Sequence, residues 1–131
     1  MLQKGFIFLL PLILLIPHAL KAEPKAIDLP PKIETRCGWI DNPTPANWDI
    51  TDKDGRWLIG SQGGYQAKGN MPAFPEGKKY WIKTNVHYGY GCACIKVKVD
   101  KKEKIILEIF SGKPLPLQRC RTDKALPSRN P

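Results

Sequence analysis

Four cysteines, Cys37, Cys92, Cys94 and Cys120, are the residues with the clearest chemical potential in this 131-residue chain. Four thiolates could hold zinc, but a Cys-x-Cys pair lacks the two or more intervening residues usual in a zinc knuckle. A copper site would want more soft ligands than Met71 and His87, the only Met and His after residue 22. Oxidation to two structural disulfides is the expectation. An extended Cys92-Ala93-Cys94 places its Cα atoms about 6.6 to 6.8 Å apart with parallel side chains, the limit for a bridge. Cys37 and Cys120 are therefore each expected to pair with Cys92 or Cys94, in an order the sequence leaves open. Each bridge would contribute roughly 2 to 4 kcal/mol.

Other candidate chemistry is sparser. Asp41, Asp52 and Asp54 could supply the carboxylates of a polysaccharide hydrolase, but Asp near turns ordinarily makes turn and capping hydrogen bonds. His87 has no nucleophile at an identifiable spacing. No catalytic residue, metal or cofactor is assigned, and an enzyme is not expected. Aromatic residues give a better hint of binding. Trp48, Trp57 and Trp81 read as core, whereas Tyr65, Tyr88 and Tyr90 lie in Gly-rich turns where binding residues concentrate. With Asn42, Gln62 and Asn85 they form the candidate site. Lys96, Lys98, Lys101 and Lys102 cluster around one hairpin and form a second candidate, for anions, although lysines also keep exposed strands soluble.

The elements that must position these residues start after an export signal. Residues 1–22 carry Lys4, an apolar stretch from Phe6 to Ile16 and a small-residue end at Ala22. Cleavage near Ala22 would release a periplasmic or secreted product with no transmembrane segment, since the apolar stretch falls short of the ~18 residues needed to span a bilayer. Losing Lys4 and Lys21 takes the formal charge from +9 to +7. Residues 23–36 read as a flexible arm, 37–120 as the folded body and 121–131 as a basic, frayed tail with a short helical turn around Thr122 to Leu126. Charge is polarised: Cys37 to Gly60 carries −2 and Ser61 to Pro131 carries +9.

The body shows strand signals without a sustained helical period. Trp48 to Thr51 and Arg56 to Gly60 flank the turn Asp52-Lys53-Asp54-Gly55; Tyr80 to His87, Cys92 to Val99 and Lys104 to Phe110 follow, with an irregular loop over Gln62 to Lys79. The expected fold is all-β, an antiparallel meander of about five strands, as a sandwich or partly open barrel, with little helix. Alternation along the fourth strand puts Ala93, Ile95, Val97 and Val99 on the core face and Cys92, Cys94, Lys96 and Lys98 on the other. The segments bearing Cys37 and Cys120 would then cover that outer face.

The combination Cys37-Gly38-Trp39, Asn42-Pro43-Thr44-Pro45, Gln62-Gly63-Gly64-Tyr65 and Tyr88-Gly89-Tyr90-Gly91-Cys92-Ala93-Cys94 resembles a bacterial exported family, domain of unknown function family 4087. The resemblance runs from Cys37 to about Leu126. It implies a bacterial envelope protein and brings no activity with it. The expectation is a small binding or inhibitor module whose partner is an envelope protein, glycan or anionic lipid. The alternatives are a structural or accessory envelope protein and, behind it, a polysaccharide hydrolase. Export and the lack of an aromatic-studded RNA-binding motif speak against specific nucleic-acid binding.

Overall fold

The computed structural model describes residues 5, 21–23 and 30–129. The export signal expected over 1–22, apart from residues 5, 21 and 22, and residues 24–29 of the arm expected over 23–36 lie outside the described residues. Six strands and one short helix follow: β1 (Ile33–Asn42), β2 (Trp48–Asp52), β3 (Gly55–Gly60), β4 (Trp81–Asn85), β5 (Tyr88–Asp100), β6 (Ile105–Leu115) and α1 (Leu117–Arg121). No helix among the described residues is long and apolar enough to cross a membrane.

The sheet runs β1-β2-β3-β6-β5-β4, and β1 also pairs with β5, so five strands close into a ring with β4 as its outer edge. Strands β1, β2 and β3 are consecutive neighbours, and β5 returns by a long connection to lie beside β1, which is a Greek key. β6 then closes the barrel between β5 and β3. The all-β fold and the two disulfides are as expected, but the simple antiparallel meander is not. β3 meets β6 in parallel at Leu58↔Ile105. The irregular loop assists this closure: the Ala67 amide donates to Ile59 O, Lys68 N–H to Leu107 O and Ile109 N–H to Lys68 O. A loop residue thus fills the gap that two short parallel segments leave.

The extra strand is β1, whose first four residues fall within the segment expected as a flexible arm. Its pattern hid it. Residues Glu34, Arg36, Gly38, Ile40 and Asn42 share the face turned toward the barrel interior by strand alternation, and only Ile40 among them is apolar. Gly38 is required there, because a Cβ would come within 2.0 Å of Thr51 O on β2. Ten consecutive residues of β1, Ile33 to Asn42, register with β5 from Lys98 back to Gly89.

The barrel interior contains Ile40, Ile50, Trp57, Ile59, Ala93, Ile95, Val97, Val99, Ile106 and Ile109. Burying each such side chain contributes about 1.5 to 3 kcal/mol, less for alanine. The alternation read along Cys92 to Val99 is therefore correct. In β6 the register shifts opposite Lys96/Val97 and Lys98/Val99, and these bulges let both Ile106 and Ile109 face inward. A second cluster lies outside the ring: Trp39, Cys92, Leu117 and Cys120, with Ile82, Tyr90, Leu115 and Leu126 packed around it.

Two turns carry their sequence chemistry openly. Asp52 Oδ1 accepts the Asp54 amide at 2.8 Å, and Gly55 takes a φ of 111°, as the Asx-type turn of the β2–β3 hairpin requires. Asp100 Oδ1 accepts the amides of Lys102 and Glu103 in the β5–β6 turn. The helical turn falls earlier than expected, at Leu117–Arg121, because Leu117 and Cys120 bury against the outer cluster and the Leu117 amide donates to Lys79 O.

Candidate functional site

The two ends of the barrel are built from opposite kinds of residue. At one end β1 turns Arg36 inward, where it is 7 % exposed. Its Nη1 donates to Asp52 Oδ2 at 2.5 Å and Asp54 Oδ2 at 3.2 Å, and its Nη2 to Glu34. The guanidinium carbon lies 3.6 Å from the Trp57 ring centroid, and Trp57 Nε1 donates to Asp52 Oδ1 at 3.0 Å. Lys104 covers the same ring at 4.3 Å and donates to Asp54 O. Burial alone would lower the Arg36 pKa, but the hydrogen bonds it donates to Asp52, Glu34 and Asp54 outweigh it and hold the group above its usual value. Asp54 is held below the usual carboxylate value by hydrogen bonds from Lys53 and Arg36. This end is a charged plug, in which the buried Arg36 Nε alone is left without a hydrogen-bond partner among the described residues: the carboxylates Asp52 and Asp54, candidates for hydrolysis, are occupied by arginine.

At the other end, six residues along β1, Asn42 faces the mouth. Its side-chain amide donates to Thr44 O at 2.9 Å and Asn47 O at 2.7 Å, fixing the β1–β2 connection. There the loop preceding β4 folds back to leave a cleft of ≈ 890 Å³, within the range of small-ligand sites. Its walls are Trp48, Met71, Phe74, Trp81 and Ile82, with His87 at the rim. Ring centroids are 6.4 Å apart for Trp48 and Trp81 and 4.8 Å for Phe74 and Trp81. Trp81 Nε1 donates to His87 O at 3.0 Å, fixing the indole to the β4–β5 hairpin tip. Gly91 lies beneath these rings, since a Cβ there would approach Phe74 to 2.6 Å and Trp81 to 2.8 Å. Glu76, Lys78 and Lys83 give the cleft a charged rim.

The residues selected from sequence disperse over the surface. Asn42 alone lines the cleft. Tyr65 donates its hydroxyl to Ile106 O at 2.8 Å, and burial raises its pKa; it braces the loop against β6. The Gln62 backbone N–H donates to Asn47 Oδ1. Asn85 and Tyr88 close the β4–β5 hairpin, and the Tyr88 ring lies 4.1 Å from that of His87. Tyr90 packs edge-on against Trp39 at 5.7 Å. Lys96, Lys101 and Lys102 are exposed and Lys98 half-buried; Lys101 pairs with Glu34 at 3.5 Å. Reading Trp48 and Trp81 as core overlooked the cleft. Both are half-buried, packed inward on one side and presented to the cleft on the other. The signal available in the sequence was their coincidence with Met71-Pro72-Ala73-Phe74-Pro75, an apolar run inside a loop.

The tail is docked as far as it is described. Trp39 Nε1 donates to Pro127 O at 2.9 Å, and Arg129 forms a two-pronged pair with Asp41 at 2.5 and 2.7 Å. Its guanidinium also lies 5.3 Å from the Trp39 ring and 5.0 Å from the Tyr90 ring. Hydrogen bonding to Asp41 raises the Arg129 pKa against the effect of burial. The tail stays down because β1 turns Trp39 and Asp41 outward, where they need covering.

The disulfides join Cys37 to Cys94 and Cys92 to Cys120. Cys92 and Cys94 do emerge from the outer face of β5, as alternation requires. Only α1, through Cys120, crosses that face; Cys37 belongs to the adjacent strand, directly opposite Cys94.

No curated protein and no solved structure matches the chain. The sequence model of the family described as "Protein of unknown function (DUF4087)" matches residues 31–127. That span takes in every strand, both disulfides, α1 and the segment that docks on Trp39, so the chain belongs to this family of unknown function.

Proposed function

We propose that this protein is a non-enzymatic binding module of the bacterial envelope, and that it binds at the aromatic cleft. The observation that carries this reading is the arrangement of Trp48, Phe74 and Trp81 around ≈ 890 Å³ of accessible space. Half-buried aromatics supply a large contact area at small entropic cost. Two disulfides support an oxidising compartment. Of the partners expected from the sequence, an envelope glycan suits this site best. Sugar rings offer apolar faces to indole and phenyl rings, while their hydroxyls suit the amide and charged groups around the rim. The hydrolase alternative draws no support from Asp41, Asp52 and Asp54, which pair with Arg129 and Arg36 away from the cleft.

Titrating the protein with soluble fragments of envelope glycan while following tryptophan fluorescence tests the reading. A saturable change is expected, weakened at least tenfold, which is about 1.4 kcal/mol, by Trp81→Ala. Equal affinity in Trp81→Ala and wild type, with both folded, would remove the cleft from the proposal.

A further inference from the structure

The two disulfides differ in access and setting. Cys92 and Cys120 are 1 % and 3 % exposed, sealed in the outer cluster beneath α1. Cys37 is exposed and Cys94 half-buried, on the open outer face of β1 and β5. Cys94 is flanked by cations. Lys113 stands directly opposite it on β6, and Lys96 follows two residues on along the same face of β5. Side chains directly opposite across an antiparallel pair have Cβ atoms about 4.5 to 5.5 Å apart. Both lysines are exposed, and Thr35 and Ser111, which stand opposite Lys96 on its two sides, are small and leave the bridge uncovered.

We infer that Cys37–Cys94 is a thiol-exchange site, open to small thiols, while Cys92–Cys120 is a structural bridge closed to them. The step follows from the asymmetry. An incoming thiolate RS⁻ attacks the exposed Cys37 sulfur, and the bond to Cys94 breaks with its electron pair leaving on Cys94. That leaving thiolate forms beside Lys113 and Lys96, whose positive charge stabilises it and so favours its departure. A mixed disulfide remains on Cys37. A second RS⁻ attacks the R-bearing sulfur, releasing Cys37 as thiolate and RSSR as product. Two small thiols are oxidised, one protein disulfide is reduced, and the two thiol protons end on solvent or the new cysteine thiols. The continuous β1–β5 register keeps the two cysteines opposed, so the exchange is reversible.

The test is to incubate the native protein with glutathione, quench with acid, alkylate free thiols and map the labelled peptides over time. Cys37 and Cys94 should open at least roughly tenfold faster than Cys92 and Cys120, as exposure dictates. The glutathione adduct should form on Cys37, and the far-UV circular dichroism should stay native with a lower Tm. Lys96→Gln combined with Lys113→Gln should slow opening by roughly threefold or more, without changing the order in which the bridges open. Opening of both bridges together, opening of Cys92–Cys120 first, or an adduct on Cys94 would overturn the inference. An unchanged rate in the double-lysine variant would overturn the assisted departure of Cys94. These readouts use wild-type protein or surface substitutions and do not depend on a cysteine variant that folds.

Discussion

One barrel closes its two ends by different physics. The Arg36 end is filled with charge, and every carboxylate there meets a cation or an indole N–H. The Asn42 end has no such plug; aromatic rings line an open cleft beside an edge strand. An unpaired buried charge is costly, so a charged plug must be complete to be stable. An aromatic wall tolerates incompleteness because a half-exposed ring keeps part of its burial energy. The first end is thus committed to holding the fold, and the second retains surface with which to bind.

The sharpest way to break this comparison is at its most interdependent residue. Arg36→Ala leaves Asp52 buried without its cation and should lower stability by about 3 to 5 kcal/mol in chemical denaturation. A loss under about 1 kcal/mol, the typical worth of an exposed ion pair, would show that the plug is not structural. Next comes Trp81→Ala at the other end. A core Trp→Ala costs about 3 to 5 kcal/mol, and a half-buried ring should cost roughly half that, while the fold survives for binding measurements. If Trp81→Ala destabilised more than Arg36→Ala, the division of labour would be reversed.

A smaller effect is expected between the two ends, on the outer wall. Arg129→Ala should cost about 1 to 2 kcal/mol by removing charge-assisted hydrogen bonds to Asp41. Hydrogen exchange at the Trp39 indole N–H should report the release of the tail as faster exchange. Unchanged protection would mean that the Pro127 carbonyl holds the tail without Arg129.

The subtlest contrast is in pH dependence. Asp54 is held below 3.8, so its stabilisation is present above its unfolded value of 3.8 and is lost as pH falls through its lower folded value. Asp49 is shifted the other way, upward by burial despite a hydrogen bond from Arg56. Its ionised form therefore costs stability above its raised folded value, and that cost fades as pH falls through it. Asp54→Asn should flatten acid destabilisation below about pH 3.8, and Asp49→Asn should change the slope in the opposite sense. Stability profiles with equal slopes in both variants would contradict the assignment.

Legibility in the sequence followed the range of the interaction. The β2–β3 hairpin was readable because Asp52 and Gly55 meet their turn requirements within four residues. The core face of β5 was readable because alternation is a property of one strand. β1 was hidden because its inward positions hold Arg36, Gly38 and Asn42, polar or small for reasons found on other strands: Asp52 and Trp57, the Thr51 carbonyl, and the Thr44 and Asn47 carbonyls. The tail was misread as frayed because its partners, Trp39 and Asp41, lie 88 residues away in sequence. The cleft was missed for a related reason. A tryptophan that is core on one side and exposed on the other has the same letter as one that is wholly buried.

The sequence by itself determined an all-β domain, its main hairpin, the inward face of β5 and the fact that Cys92 and Cys94 leave that strand on its other side. These follow from backbone geometry and solvent preference acting over a few residues. Only the tertiary structure decided that β1 joins β5, that β6 closes the ring, which cysteines pair, and which aromatics are left with an open side. Those outcomes depend on which segments meet after the long loop closes, where burial is shared among strands distant in sequence.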